Sequence, residues 1–192
     1  MRIGALMVLM VALALTAGVA QGQPADAPKL MSAQRDAMKA LAMMDGVWRG
    51  SAMTLSPNGE WRTVTQTERI GPFLGGTLKV IEGRGYDAGG AVVFNAFGVV
   101  SYDPVSSSYS MRSYALGRRG DFPLRATGDG YSWEVPAGPG AIVRYVATIK
   151  GNRLQEIGER IVSGGPPKKV FEMNLERIGD SNWPEVGAVQ PR

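Results

Sequence analysis

The chain has 192 residues, a formal net charge of +4, and neither cysteine nor histidine. These absences exclude disulfides, the usual zinc and haem-iron ligands, and Ser-His-Asp or Cys-His catalysis. The basic residues are scattered and are not interleaved with aromatic residues, so no nucleic-acid partner is predicted. We also predict no metal site, no cofactor and no catalytic residue.

Residues 1–20 form an apolar run in which Arg2 is the single charged residue. Small residues end the run, with Gly18 and Ala20 at the −3 and −1 positions of a cleavage site, which is typical of a secretory signal peptide. The alternative is a retained membrane anchor, since the run is close to the shortest length that spans a bilayer. We expect a periplasmic or secreted protein with no membrane span after signal removal, and a linker at residues 21–29.

The segment 30–45 has the pattern of a short amphipathic helix. Its larger apolar side chains recur at helical spacing and share roughly one face, whereas its charged side chains lie elsewhere. The residues on the apolar face are Met31, Met38, Leu41 and Met44. We predict that this face packs on the end of the domain that follows.

From Val47 onward, apolar and polar residues alternate in short runs that glycine-rich turns separate. Regular turns between short β-rich runs indicate an antiparallel sandwich or barrel, and no segment between them is long enough for a helical crossover. The predicted strands are 47–55, 60–70, 77–86, 91–102, 109–116, 121–127, 130–135, 141–150, 152–162 and 168–178. The β domain is assigned to residues 46–179, and the proline-bearing segment 180–192 is expected to be a loose tail.

Two of the predicted strands are polar on both faces. Strand 60–70 alternates poorly, and strand 152–162 places Glu156 on one face and Glu159 on the other. Such a strand lies either at a sheet edge or against a polar cavity. A closed barrel has no edge, so in a barrel this pattern favours a polar interior.

The first strand opens with Gly46-Val47-Trp48, and the last carries Arg177 in "LERIG". This arrangement resembles the calycins, in which the tryptophan of a G-x-W motif packs against a basic side chain of the last strand. Residues 40–178 also resemble a family of uncharacterised bacterial secreted proteins with a lipocalin-like barrel, most specifically in "EGRGYD" (82–87) and "SYDP" (101–104).

The resemblance implies an all-β fold: an antiparallel lipocalin-like barrel of about ten strands with one short N-terminal helix. It assigns structural roles to Gly46, Trp48 and Arg177, and it places Arg177 near Trp48 in a cation–π contact of about 1 kcal/mol. The family carries no activity that transfers to this chain.

Several polar side chains are candidates to face the interior and bind a ligand. Gly83 and Gly85 flank Arg84 and leave room for it to receive a carboxylate, although the same glycines are typical of a bulge. The candidate ligand-binding residues are Glu68, Arg84, Arg112, Tyr114 and Glu159.

Three functions fit these observations. The first is the binding of a small, partly apolar molecule inside the barrel, with Arg84 or Arg112 near an acidic group of the ligand. The second is a structural or protein-interaction barrel whose own side chains fill the interior. An enzyme would need two carboxylates, or a lysine and a tyrosine, converging in the cavity, and nothing in the spacing brings such a pair together.

Overall fold

The computed structural model describes residues 26–187 and residue 189; the predicted signal peptide and most of the predicted linker lie outside the described residues. The strands are β1 (Gly46–Leu55), β2 (Trp61–Phe73), β3 (Leu78–Tyr86), β4 (Val92–Asp103), β5 (Ser108–Ala115), β6 (Arg118–Thr127), β7 (Gly130–Pro136), β8 (Ala141–Lys150), β9 (Arg153–Val162) and β10 (Lys168–Gly179). Helix α1 (Ala27–Lys39) and two 3₁₀ helices, Ala42–Met44 and Glu185–Gly187, complete the described elements.

The strands form a closed antiparallel barrel. Each strand pairs with its neighbours along the chain, and β1 pairs with β10 to close the wall. The all-β prediction is confirmed, and all ten predicted strands are present with ends that differ by a few residues. The architecture is compatible with a lipocalin-like fold.

Strand register determines which side chains fill the barrel. One row of paired residues runs through Ala52, Met173, Glu156, Ala147 and Tyr131 on five successive strands, and all five are buried. Because side chains alternate between the two faces of a strand, this row identifies the inward positions of each neighbouring strand. The core therefore lies inside the barrel and mixes apolar with polar side chains.

Helix α1 and the 3₁₀ helix close one end of the barrel. Leu41, Met44 and Trp48 are completely buried there, and each such side chain contributes about 2 kcal/mol through the hydrophobic effect. The indole Nε1 of Trp48 donates a hydrogen bond to the Met44 carbonyl oxygen at 2.9 Å. The predicted helix is present, but the α-helix ends at Lys39, and the chain turns through the 3₁₀ helix before β1.

The predicted contact between Trp48 and Arg177 is confirmed. The two residues are paired across β1 and β10, and the guanidinium carbon of Arg177 lies 5.6 Å from the centre of the indole ring. A Cβ atom at Gly46 would come within 3.1 Å of that same carbon. The glycine of the G-x-W motif therefore leaves room for the arginine that covers the tryptophan.

Residues 180–187 return along the wall near β2. Trp183 lies under the guanidinium of Arg69, with 4.2 Å between Cζ and the ring centre. A Cβ atom at Gly71 would overlap the carbonyl oxygen of Trp183, and the Glu185 carboxylate accepts a hydrogen bond from the Gly75 N–H at 2.7 Å. Residues 180–187, which the sequence predicts to be part of a loose tail, therefore contact the barrel.

Candidate functional site

The two ends of the barrel differ in how they are closed. Gln34 and Ala37 of α1 hydrogen-bond Tyr102 and Tyr109, so the helix lies at the end where β4 finishes and β5 begins. At the opposite end, residues 92–97 and 114–119 line an open cleft of about 770 Å³. Register places the side chains of two lining residues, Phe94 and Ala96, inside the barrel, so the cleft lies at its mouth.

The lining of this mouth cleft is mainly apolar and includes a basic pair. Leu116 is an exposed apolar side chain in the turn beside the cleft, and Val93 and Phe97 are exposed apolar side chains that border the cleft from the outer face of β4. Arg118 and Arg119 lie beside them and form no ion pair with the residues that the structure describes. The cleft can therefore hold an apolar group and present positive charge beside it.

Arg84 points outward, so the prediction that it faces the interior is wrong. Its guanidinium forms an ion pair with Glu82 at 2.5 Å on the outer face of β3, and Glu82 also pairs with Arg69. The two flanking glycines occupy the inward positions, and a Cβ atom at Gly83 would lie 2.8 Å from a Glu68 carboxylate oxygen. The space that the glycines leave is thus used by inward side chains of neighbouring strands.

Arg112 and Tyr114 also point outward, contrary to prediction. Arg112 donates hydrogen bonds to both carboxylate oxygens of Asp121, at 2.6 and 3.1 Å. Tyr114 packs beside Phe97, with 6.5 Å between ring centres. Both orientations follow from Met111, which takes a buried inward position on the same strand.

Glu159 points outward, so the prediction that it faces the interior is wrong. It is paired with Arg144 and Lys169 across the wall, on the outward face of β9. Glu156 faces the interior instead and is only 6% exposed. In the sequence, Leu154 is the residue that indicates which face of β9 points inward, because it shares that face with Glu156. Ile157 and Ile161 lie on the opposite face and make it equally apolar, so the sequence does not distinguish the two faces.

Glu68 faces the interior, as predicted. It is paired with Trp48 on β1 and Gly83 on β3, and its carboxylate accepts a hydrogen bond from the Gln66 side-chain amide at 2.7 Å. Burial raises the pKa of Glu68 to about 8, and the charge of Glu156 contributes to this rise. Its role in ligand binding stays a prediction.

Glu156 completes an interior pair of carboxyl groups that the sequence did not identify. The indole Nε1 of Trp133 donates a hydrogen bond to it at 2.9 Å, and burial raises the pKa of Glu156 to about 7. Removal from water disfavours the charged form of each carboxyl group, and the charge of Glu156 further disfavours ionisation of Glu68. Both pKa values therefore lie near neutral pH.

Aromatic rings form the wall beside Glu156. Trp133 and Tyr145 are stacked, with 4.5 Å between ring centres and an interplanar angle of 15°. Phe122 lies 5.6 Å from Trp133, and Phe171 lies 5.5 Å from Tyr145. Gly158 makes room for this cluster, since a Cβ atom there would be 2.7 Å from the Tyr145 ring.

The sequence matches no family model and no curated protein. Across residues 26–187, no helix combines the length and apolar character needed to cross a membrane. Within the same range, no group of three or more acidic side chains is placed to hold a metal ion.

Proposed function

We propose that this protein binds a small, partly apolar molecule through the open end of its barrel. The observation that carries the proposal is the mouth cleft of about 770 Å³. Ligand pockets usually have volumes of about 300–1,000 Å³ and are mainly apolar with a few polar groups. The cleft matches that range in both size and lining.

The asymmetry of the barrel supports the same proposal. Leu41, Met44 and Trp48 seal the closed end without exposed surface, so a ligand has to enter at the mouth. In the interior of the barrel, the stacked rings of Trp133 and Tyr145 provide a flat apolar surface beside the Glu156 carboxyl group. Rings with a polar group beside them suit a molecule that is apolar over most of its surface.

The cellular setting forms part of the proposal. The apolar run at residues 1–20 has the charge and small-residue pattern of a signal peptide, which supports a periplasmic or secreted location. The G-x-W motif and its contact with Arg177 support membership of a lipocalin-like family. Many barrels of this architecture enclose a small ligand.

The test is binding of the neutral apolar fluorophore N-phenyl-1-naphthylamine to the purified mature protein. We expect saturable binding that Leu116→Ser weakens about fivefold, the equivalent of about 1 kcal/mol. Leu116 is 73% exposed in the cleft, whereas Val105 is 86% exposed in the β4–β5 turn at the other end. Val105→Ser is therefore the matched control and should leave the affinity unchanged.

Two results would contradict the proposal. One is the absence of saturable binding, and the other is an equal effect of the two serine variants. Either result would favour the alternative function, a structural or protein-interaction barrel whose interior is filled by its own side chains.

A further inference from the structure

Two carboxyl groups inside the barrel lack a cationic partner. Glu68 and Glu156 face the interior from β2 and β9, and neither forms an ion pair with a described residue. Lys79 and Arg177, the basic side chains near the closed end, already contact Asp45 and Asp180. Buried carboxylates normally have a positive partner, because an unpaired buried charge is costly.

Hydrogen bonding leaves most of the acceptor capacity of this carboxyl pair unused. Among the described residues, one uncharged donor serves each group: the Gln66 amide for Glu68 and the Trp133 indole for Glu156. An ionised carboxylate has about four acceptor sites. The pair can therefore accept further hydrogen bonds from a donor that is not part of the protein.

A third polar side chain points to the same space. Tyr131 is only 6% exposed, and strand register places it in the same inward row as Glu156. Burial raises the pKa of its hydroxyl, and the charges of Glu156 and Glu68 add to this rise.

The wall beside Glu156 suits a cation. The faces of aromatic rings attract positive charge, and this attraction is strongest for tryptophan and for sites removed from water. Trp133 and Tyr145 are stacked directly beside Glu156. Carboxylates and aromatic rings together favour an organic cation over a neutral or acidic molecule.

We infer that the molecule bound by this barrel is a protonated amine with an apolar group, whose ammonium lies between Glu68 and Glu156 and beside Trp133. The inference rests on the proposed function, since the amine enters through the mouth cleft. Arg118 and Arg119 at the cleft repel the ammonium, so its attraction comes from the carboxyl groups farther inside. It replaces the expectation of an acidic ligand held by Arg84 or Arg112, because both arginines lie on the outer wall and are paired with acidic side chains.

The experiment compares two probes that share one fluorophore. Dansylcadaverine carries a primary ammonium, and its N-acetyl derivative is neutral. Binding is measured at pH 8.5, which is above the pKa values of about 8 for Glu68 and about 7 for Glu156. A primary amine is still protonated at that pH. We expect the wild-type protein to bind the cationic probe about tenfold more tightly than the neutral one.

Glutamine variants locate the site of this preference. Glu68→Gln and Glu156→Gln keep the side-chain shape and should each reduce the preference for the cation to about twofold or less. Glu176→Gln is the matched control, because Glu176 is exposed on β10 next to Arg153. It should retain the full preference.

The outcomes separate the inference from the proposed function. Equal affinity of the wild-type protein for the two probes would overturn the inference and leave the proposed function intact. A preference that survives both interior variants would also overturn it, because the cation would then bind elsewhere. Absence of binding by either probe would contradict the proposed function and the inference together.

Discussion

At the residue scale, glycines mark the places where strands approach each other most closely. Gly50 lies on β1 opposite Leu175 of β10, and a Cβ atom there would overlap the carbonyl oxygen of Asn174. That oxygen belongs to the backbone of the neighbouring strand, so it cannot move without disturbing the wall. The close approach allows β1 and β10 to complete the barrel.

We therefore expect Gly50→Ala to lower the free energy of unfolding by about 3 kcal/mol, because the two strands must separate locally. Urea denaturation of the two proteins measures the change. Gly128→Ala is the control, since Gly128 lies in a turn with no atom within 4 Å of the added methyl group. Similar losses in the two variants would mean that β1 and β10 are not in close contact at Gly50.

A second residue-scale feature is the ion pair of Asp45 and Lys79 at the closed end. The Lys79 side chain is 3% exposed, whereas that of Asp45 is 27% exposed. Burial lowers the pKa of Lys79 and raises that of Asp45, and the interaction between them opposes both changes. The partners are thus unequal, because only Asp45 has access to water.

This asymmetry predicts that Asp45→Ala destabilises the protein more than Lys79→Met. The first variant leaves a buried ammonium without a partner and should cost about 4 kcal/mol, whereas the second leaves a carboxylate that water can reach and should cost less than half as much. Guanidinium denaturation at pH 7 compares them. Equal losses would show that Lys79 reaches solvent when its partner is removed.

At the element scale, the segment after β10 packs against β2 and the turn that follows it. Trp183→Ala should remove the contact with Arg69 and lower the free energy of unfolding by about 1 kcal/mol. Amide hydrogen exchange at Gly75, whose N–H binds Glu185, should accelerate in the same variant. Val186→Ala is the control, because Val186 is exposed. Unchanged exchange at Gly75 would mean that the segment does not depend on Trp183.

The strands and turns could be predicted from the sequence, but the face of each polar strand that points into the barrel could not. Glycine-rich turns have strong local signals, because residues such as Gly117 adopt a positive φ of 73° that other residues avoid. The faces of a strand depend on its register with its neighbours, and one bulge reverses the alternation. Such a shift lies at Gly85 and Tyr86, directly after Arg84.

At the scale of the whole molecule, the interior carboxyl pair should make stability depend on pH. In the unfolded chain both glutamates lose their protons near pH 4.5, whereas in the barrel the pKa is about 8 for Glu68 and about 7 for Glu156. Between these limits the folded state binds more protons, so the free energy of unfolding falls as pH rises. The slope per group is at most about 1.4 kcal/mol per pH unit.

We expect the protein to be more stable at pH 5 than at pH 8.5, and the double variant Glu68→Gln/Glu156→Gln to show a flatter profile. Surface acids in ion pairs, such as Asp121 and Glu172, have lowered pKa values, so their titration changes the stability only at pH values below this range. Urea denaturation across the range measures both profiles, with Glu176→Gln as the control. Parallel profiles for the wild type and the double variant would mean that the two carboxyl groups are not buried together.

The sequence alone determined the class of the fold and the number of strands, and its resemblance to the calycins predicted the contact between Trp48 and Arg177. These features rest on local signals: turn residues, alternation and a short motif at each end of the barrel. Of the five proposed ligand-binding residues, it placed Glu68 correctly because Glu68 is in a strand with polar residues on both faces, which in a closed barrel means a polar interior.

Only the tertiary structure decided which other polar residues face inward, that Glu156 rather than Glu159 joins Glu68, and where the barrel opens. Pairing between strands sets the face of every side chain, and that pairing involves residues far apart in the chain. The packing of α1 and the 3₁₀ helix on one end decides which end remains open. These properties arise when the wall closes, so no single strand carries them.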